Sequence, residues 1–396
     1  MSKVTAGPEL LDWQGYTDIL AQAEKLLAKA PKAQTPEGQQ QFYRLLFSAL
    51  ASGYHSAFAD PRYPDFVPVV SNILNSIGAN PDFIYGYTQL DGEGCYRIAG
   101  QRGDEVFVLI DFTAGGLGVL DEFGPAVGYV DVDTLKLDDD GNFELLLCAE
   151  WPEGYQGDWF ALKPNTKTAG IRKAYYQWGE GRETRITIER LDTPPRAEPL
   201  TAEETARRLT KLSEYVMRYA GFILGYGQRQ REQGFVNKLE YDDWAGRGGV
   251  DGQHYYQGIF ELQPDEVMII ETELPKTVRY WNIQVNDALW NTIDWFNHQS
   301  SINGSQAVID SDGRFRAVIA AEDPGVANWL DTAGHLTGSL MLRWTEASSG
   351  PKPEVKIVKL AELKKRLPTS TAWLSEEQRE AALRKRHRAA QWRRRW

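Results

Sequence analysis

Apolar positions change their period twice along this chain. Over residues 10–30 they recur every three to four positions, which predicts an amphipathic helix ending near Pro31. Thr35-Pro36-Glu37 has the form of an N-cap followed by proline at the first helical position, and opens a second helix over 38–59. A third helix is predicted over 66–77, closed by Gly78 and Pro81. From Phe83 the period drops to two. Segments 106–112, 127–132, 143–149, 170–176 and 184–189 read as short strands, separated by turn clusters such as Asp138-Asp139-Asp140-Gly141-Asn142.

The prolines of 193–199 mark a linker. Thr201-Ala202-Glu203-Glu204 then predicts a capping box, with Thr201 capping and Glu204 reaching back. The helix behind it runs to the region of Gln233, with Leu209, Leu212, Val216, Ala220 and Ile223 along one face. The glycines of 246–252 predict a loop. A second set of strands follows at 258–262, 266–273, 279–285, 306–309, 315–320, 339–344 and 354–359, with Asp310-Ser311-Asp312-Gly313 as a hairpin turn. The expected fold is mainly β with a helical N-terminal region (α+β): antiparallel β-sandwich or jelly-roll modules joined by a long helix. The expected organisation is a helical region over 1–82, a first β module over 83–195, a linker and long helix over 196–250, a C-terminal β-sandwich module over 251–360, and a basic helical tail over 361–396.

Side chains alternate across a strand, so Tyr280, Asn282, Gln284 and Asn286 share one face and Trp281, Ile283 and Val285 the other. The apolar face is core. The amide face looks onto water or onto a pocket, and asparagine is disfavoured on plain strand surface. The loop 323–335 gathers Asn328, Trp329, Asp331, Thr332 and His335, either as ligand contacts or as a loop bonded to itself. His335 and His298 are candidate general bases, with Asp331 or Asp287 to orient one of them; His254 is a further candidate, and each histidine also has a purely structural reading. Asn282, Gln284, Asn286 and Asn328 are candidate ligand donors, and Trp290 and Trp329 candidate apolar walls. No HxH, HExxH or CxxC spacing is present, and no GxSxG elbow, phosphate-binding glycine loop or dinucleotide fingerprint. Neither a metal nor a cofactor is therefore expected.

Charge narrows the partners. The chain carries −11, of which residues 375–396 contribute +5 and the remainder −16. Such a body is a poor binder of nucleic acid. The basic tail is expected to lie as a helix on an acidic surface of its own chain or of a partner subunit, contact with RNA or membrane being the alternative. No apolar run resembles a signal peptide or is long enough to span a bilayer, which predicts a cytoplasmic, reduced protein with Cys95 and Cys148 as buried small hydrophobes. Asn303-Gly304-Ser305 is then a turn rather than a glycosylation site.

Several of these runs carry a resemblance. Tyr280-Trp281-Asn282-Ile283-Gln284, Ser300-Ser301-Ile302-Asn303, Asp312-Gly313-Arg314-Phe315-Arg316, Asp323-Pro324-Gly325 with Asn328-Trp329-Leu330-Asp331-Thr332, then Gly338 and Arg343-Trp344, resemble the bacterial family catalogued as domain of unknown function 1214. Gly157-Asp158-Trp159, Ile171-Arg172, Tyr176, Trp178 and Ile188-Glu189 resemble the companion 1254-like region often found upstream. The resemblance implies a β-sandwich or jelly roll in soluble bacterial proteins that accompany lipid, steroid or xenobiotic catabolism. It carries no catalytic residues over. The expected function is processing of an apolar, oxygenated small molecule by a hydrolase, lyase or isomerase. The alternatives are a non-catalytic binder of carbohydrate or another small ligand, and a structural subunit of an oligomer.

Overall fold

Two β-sandwiches follow one another in the chain, and helices fill the angle between them. The computed structural model describes residues 10–75, 77–244 and 252–393. In the first sandwich a five-stranded sheet runs in the order Val67–Pro68, Phe83–Gln89, Thr168–Ala174, Phe107–Thr113, Ala126–Asp131. It packs on a four-stranded sheet ordered Asp158–Ala161, Asn142–Cys148, Tyr96–Gln101, Arg185–Arg190. Ile98, Ile110, Phe112, Leu145, Leu147 and Ile171 fill the space between them. The second sandwich repeats the plan. Glu240–Tyr241, Gln253–Glu261, Thr337–Ala347, Val278–Asn286 and Ser301–Asn303 form one sheet; Trp329–Asp331, Phe315–Ala320, Glu266–Thr272 and Glu354–Lys359 form the other. Its core holds Trp281, Ile283, Val285, Leu342, Trp344 and Phe315. Alternation explains both cores, since every second side chain of each central strand points inward.

The helices Pro36–Phe58 and Ala202–Glu232 pack on each other through Phe42, Leu45, Ala49, Val216 and Tyr219, joined by Tyr255, Trp290 and Met341 of the second sandwich. Thr35 and Thr201 cap them as their sequences predict, accepting from Gly38 N and Glu204 N. The Glu204 side chain does not reach back; its carboxylate goes to Arg207 and Arg208 instead. The first helix is α-helical only over Trp13–Ala21 and continues as a 3-10 helix over Gln22–Lys29.

Two predicted elements are corrected. The described residues of 66–77 form no helix: Val67–Pro68 joins the edge of the first sheet, and a turn follows in which Ser71 receives Ile73 N and Leu74 N. Pro64 and Pro68 lack the donors a helix needs. Residues 306–309 form no strand; Ser301–Asn303 pairs with Val278–Asn286 instead, and the Asn303 side chain accepts from Ser305 N and Gln306 N to turn the chain away. Cys95 and Cys148 are not separate thiols but a disulfide between neighbouring strands. Most of the predicted loop 246–252 lies outside the described residues.

The C-terminal helix Glu376–Trp392 opens with a complete Ser375–Gln378 capping box and lies on its own chain. Arg379 pairs with Asp323 at 2.9 Å, Arg386 donates to Ser301 Oγ at 2.8 Å, and Arg393 donates to the Pro81 carbonyl at 2.8 Å. Arg386 and Arg393 sit 4.3 and 4.2 Å from the Trp178 ring. This tail therefore touches both sandwiches, mostly through carbonyls rather than through an acidic patch. Among the described residues no helix is long and apolar enough to cross a membrane.

Candidate functional site

Strand register explains how a site arises between the sandwiches. In the second sandwich Asn282 pairs with Arg343 and Arg343 with Tyr255; Gln284 pairs with Met341 and Met341 with Gln257. These side chains all leave the sheet on the face away from the core. In the first sandwich Tyr85 pairs with Arg172, and Tyr87 and Asp111 both pair with Gly170. Those side chains also point out of their sandwich, so the two outer faces oppose each other.

Over half of this interface the faces close on protein. Residues 78–82 run across the amide row. Gln284 Nε2 donates to the Gly78 and Ala79 carbonyls at 3.1 and 3.2 Å, and Asn282 Nδ2 to Asn80 Oδ1 at 3.0 Å. Tyr280 Oη donates to Asp82 Oδ2 at 2.6 Å, while Asp82 Oδ1 receives Trp178 Nε1 and Asn303 Nδ2, each at 2.8 Å. Burial pushes the Asp82 carboxyl up, against the pull of these donors. This is a satisfied polar joint, with no room for a ligand.

Over the other half a cavity of about 320 Å³ remains. Ligand pockets span about 300–1,000 Å³, so it is large enough for a small organic molecule. Tyr85, Tyr87, Asp111 and Arg172 line it from the first sandwich; Gln253, Tyr255, Gln257, Met341 and Arg343 from the second. Tyr215 and Tyr219 of the long helix, with Leu117, Phe123, Trp244 and Trp290, supply the rest of the wall. Burial raises the Tyr85 phenol and pushes Tyr87 up to about 12, so both are neutral donors at ordinary pH. Tyr85 Oη accepts from Asn80 N at 3.0 Å, which leaves its own proton to give. Arg172 Nε stands 3.6 Å from Asp111 Oδ1.

The residues singled out in the sequence divide sharply. Trp290 lines the cavity, at a left-handed φ of 62°. Asp287 builds that turn, accepting from Leu289 N and Asn291 N at 2.8 and 3.0 Å, so it orients no histidine. Asn282, Gln284 and Asn286 are buried beside the cavity and bonded to protein. Trp329 packs on the far sheet of the second sandwich with Val267, Val318 and Leu363. Asn328 satisfies backbone groups of Val308 and Arg316. The amide row and the 323–335 loop thus lie on opposite outer faces of one sandwich, and the single pocket expected from both does not form.

The histidines also lie away from the cavity. His298 and Asp331 do meet, at 2.7 Å, and this bond raises the imidazole above its ordinary value against partial burial. His335 turns the other way, to Glu37 at 3.2 Å and Gln41 at 3.4 Å on the N-terminal helix. His254 packs against Gly350 and Tyr241, on the core-side face of its strand. Among the described residues no three His, Cys, Asp or Glu side chains converge as a metal site.

Sequence reasoning missed Tyr85, Asp111, Arg172, Tyr255, Gln257 and Arg343. One signal was available: Arg343 interrupts an apolar strand at the parity opposite Leu342 and Trp344.

A solved structure shares this architecture. The chain superposes on the crystal structure of an uncharacterised protein from Burkholderia cenocepacia with a TM-score of 0.82 and 27% identity, covering 88% of this chain and 97% of that one. A protein from Vibrio parahaemolyticus aligns at 12% identity over 87% of this chain and all of that one, with a TM-score of 0.43. No curated protein matches the sequence. Residues 262–349, which form most of the second sandwich, match the family described as "Protein of unknown function (DUF1214)", the family that the Tyr280 and Asn328 runs resemble.

Proposed function

We propose that this protein takes an apolar, oxygenated small molecule into the cavity between its sandwiches. The observation that carries this reading is a cavity walled by aromatic rings that also exposes Arg172, Arg343 and Asp111. Apolar walls with a few convergent polar groups are the usual composition of a small-molecule site. Turnover by a hydrolase, lyase or isomerase would use Asp111 or a phenol as the proton carrier, because the histidines lie elsewhere. A carbohydrate platform has less support, since Trp244 and Trp290 are buried and inclined at 45° rather than coplanar and open. A structural subunit also has less support, since the amide row is covered by its own chain. A cytoplasmic location is weighed against by the Cys95–Cys148 bridge, because disulfides persist mainly in oxidising compartments.

The test is calorimetric titration of 2-naphthol into wild type and into Leu117→Trp, which fills the cavity from a wall position that is 4% exposed. Wild type is expected to bind and the filled variant to lose binding while keeping its melting temperature. Equal binding by both would sink the cavity as the site.

A further inference from the structure

Among the described residues Arg343 is a buried cation without a carboxylate partner. It is 6% exposed, and the groups that hold it are neutral: Nη1 donates to Gln284 Oε1 at 2.5 Å and to Asn282 Oδ1 at 3.2 Å, and Nη2 donates to the Gly78 carbonyl at 3.0 Å. Its Nε–H donates to no protein acceptor among the described residues. Leaving a guanidinium in a low-dielectric site without a counter-ion is costly, and a site that binds an anion has a reason to bear that cost. The amide row thereby gains a purpose that its own burial conceals. Asn282 and Gln284 are positioning residues, which hold the guanidinium still at the cavity wall so that little ordering remains when a ligand arrives.

The rest of the cavity agrees in sign. Among the described residues Arg172 and Arg343 are its cationic lining residues and Asp111 its acidic one. Tyr85 and Tyr255 lie within electrostatic reach of both arginines. Gln257 also lines the cavity and is 1% exposed; its Oε1 accepts from Tyr226 Oη at 3.0 Å. A second cluster is aromatic: Phe123 and Trp244 have ring centroids 5.6 Å apart, and Trp244 and Trp290 6.3 Å apart.

We infer that the ligand is an apolar molecule bearing one anionic oxygen head of the carboxylate class, with the head at Arg343 and the body against Trp244 and Trp290. An anionic head gives Arg343 the counter-ion it lacks, whereas a neutral ligand leaves it buried without one and a cation adds to the repulsion. This inference rests on the cavity being the binding site.

Calorimetric titration with three probes of one ring system separates the possibilities: 2-naphthoate, 2-naphthol and 2-naphthylmethylammonium, each against wild type, Leu117→Trp and Arg343→Met. Naphthoate is expected to bind wild type at least ~10-fold more tightly than naphthol, with naphthylmethylammonium weakest. Arg343→Met should remove the preference, bringing naphthoate affinity down to within about threefold of that variant's own naphthol affinity. Should Arg343→Met not fold, the ratio measured on wild type decides alone. Equal affinity of wild type for naphthoate and naphthol, with both lost in Leu117→Trp, overturns the anionic head and leaves the cavity reading standing, as does a preference for the ammonium probe. No binding of any probe, or binding that survives Leu117→Trp, overturns the cavity reading and this inference with it.

Discussion

Replacing Asp82 by alanine cuts the joint between the sandwiches at its centre. The carboxylate is fully buried and receives three donors: Tyr280 Oη, Trp178 Nε1 and Asn303 Nδ2. Tyr280 has a second acceptor in Asn80 Oδ1 at 3.2 Å, and Asn303 Nδ2 keeps its other bond to the Tyr176 carbonyl at 3.0 Å. Two donor protons are therefore stranded, at about 1–3 kcal/mol each, for a gross loss of about 2–6 kcal/mol. Relief of a buried carboxylate offsets part of this, and the net expectation is about 2–4 kcal/mol. Asp82→Asn keeps an acceptor for Trp178 and Asn303, so its cost should stay below about 1 kcal/mol.

Proton linkage adds a sign that packing alone does not give. Burial raises the folded-state pKa of Asp82, so the folded chain holds this proton more tightly than the unfolded chain. Wild type must then lose stability as pH rises from about 4, the unfolded value, through the raised folded value. Asp82→Asn has no such proton. Its stability relative to wild type should climb across that window and level off above it. Differential scanning calorimetry from about pH 4 to about pH 8 reads both effects without assuming that two sandwiches unfold as one unit. An Asp82→Ala variant melting within about 1 °C of wild type would sink the joint, and a pH-independent Asn difference would sink the linkage.

Two further perturbations probe the surroundings. His298 has its pKa raised by Asp331, so the pair stabilises fully below the unfolded value of about 6.5 and loses that contribution as pH rises through the higher folded value. His298→Asn should therefore melt furthest below wild type on the acid side and converge with it in alkali, while naphthol binding stays unchanged; a constant offset refutes the pairing. Gly118 sits at φ +89°, where an added Cβ would lie 2.6 Å from the Tyr215 ring. Gly118→Ala should cost at least about 1–3 kcal/mol of stability, read as a fall in melting temperature, and an unchanged midpoint would show that the loop relaxes freely.

Much of the scaffold is legible in local pattern. Period-two alternation places Ile283 and Val285 in the core and Asn282 and Gln284 opposite them, as the structure has them. What lies over the opposite face is not local information. The amide row meets a segment some two hundred positions upstream, and nothing near Asn282 announces Asn80 or Gly78. The same holds for Arg172, which reads as one charged residue in a half-buried strand until strand pairing sets Asp111 beside it and docking brings Arg343 to the same cavity. The 323–335 loop misleads in the reverse sense. Its Asn, Trp and Asp side chains are spent on backbone groups of the loop and of the chain beside it: Asn328 on Val308 and Arg316, Trp329 on Ala320, Asp331 on Ala333.

The C-terminal helix imposes an order of assembly. Arg386 and Arg393 grip Trp178 from the first sandwich, and Arg379 holds Asp323 in the second. A ribosome completes both sandwiches before it makes any of these arginines. Domains of this size fold as units during synthesis, so a nascent chain owns two finished sandwiches while this strap across them is still unmade. The strap is then a late step of maturation, and a chain lacking it would keep the Asp82 joint between its sandwiches while losing the clamp of Arg386 and Arg393 on Trp178.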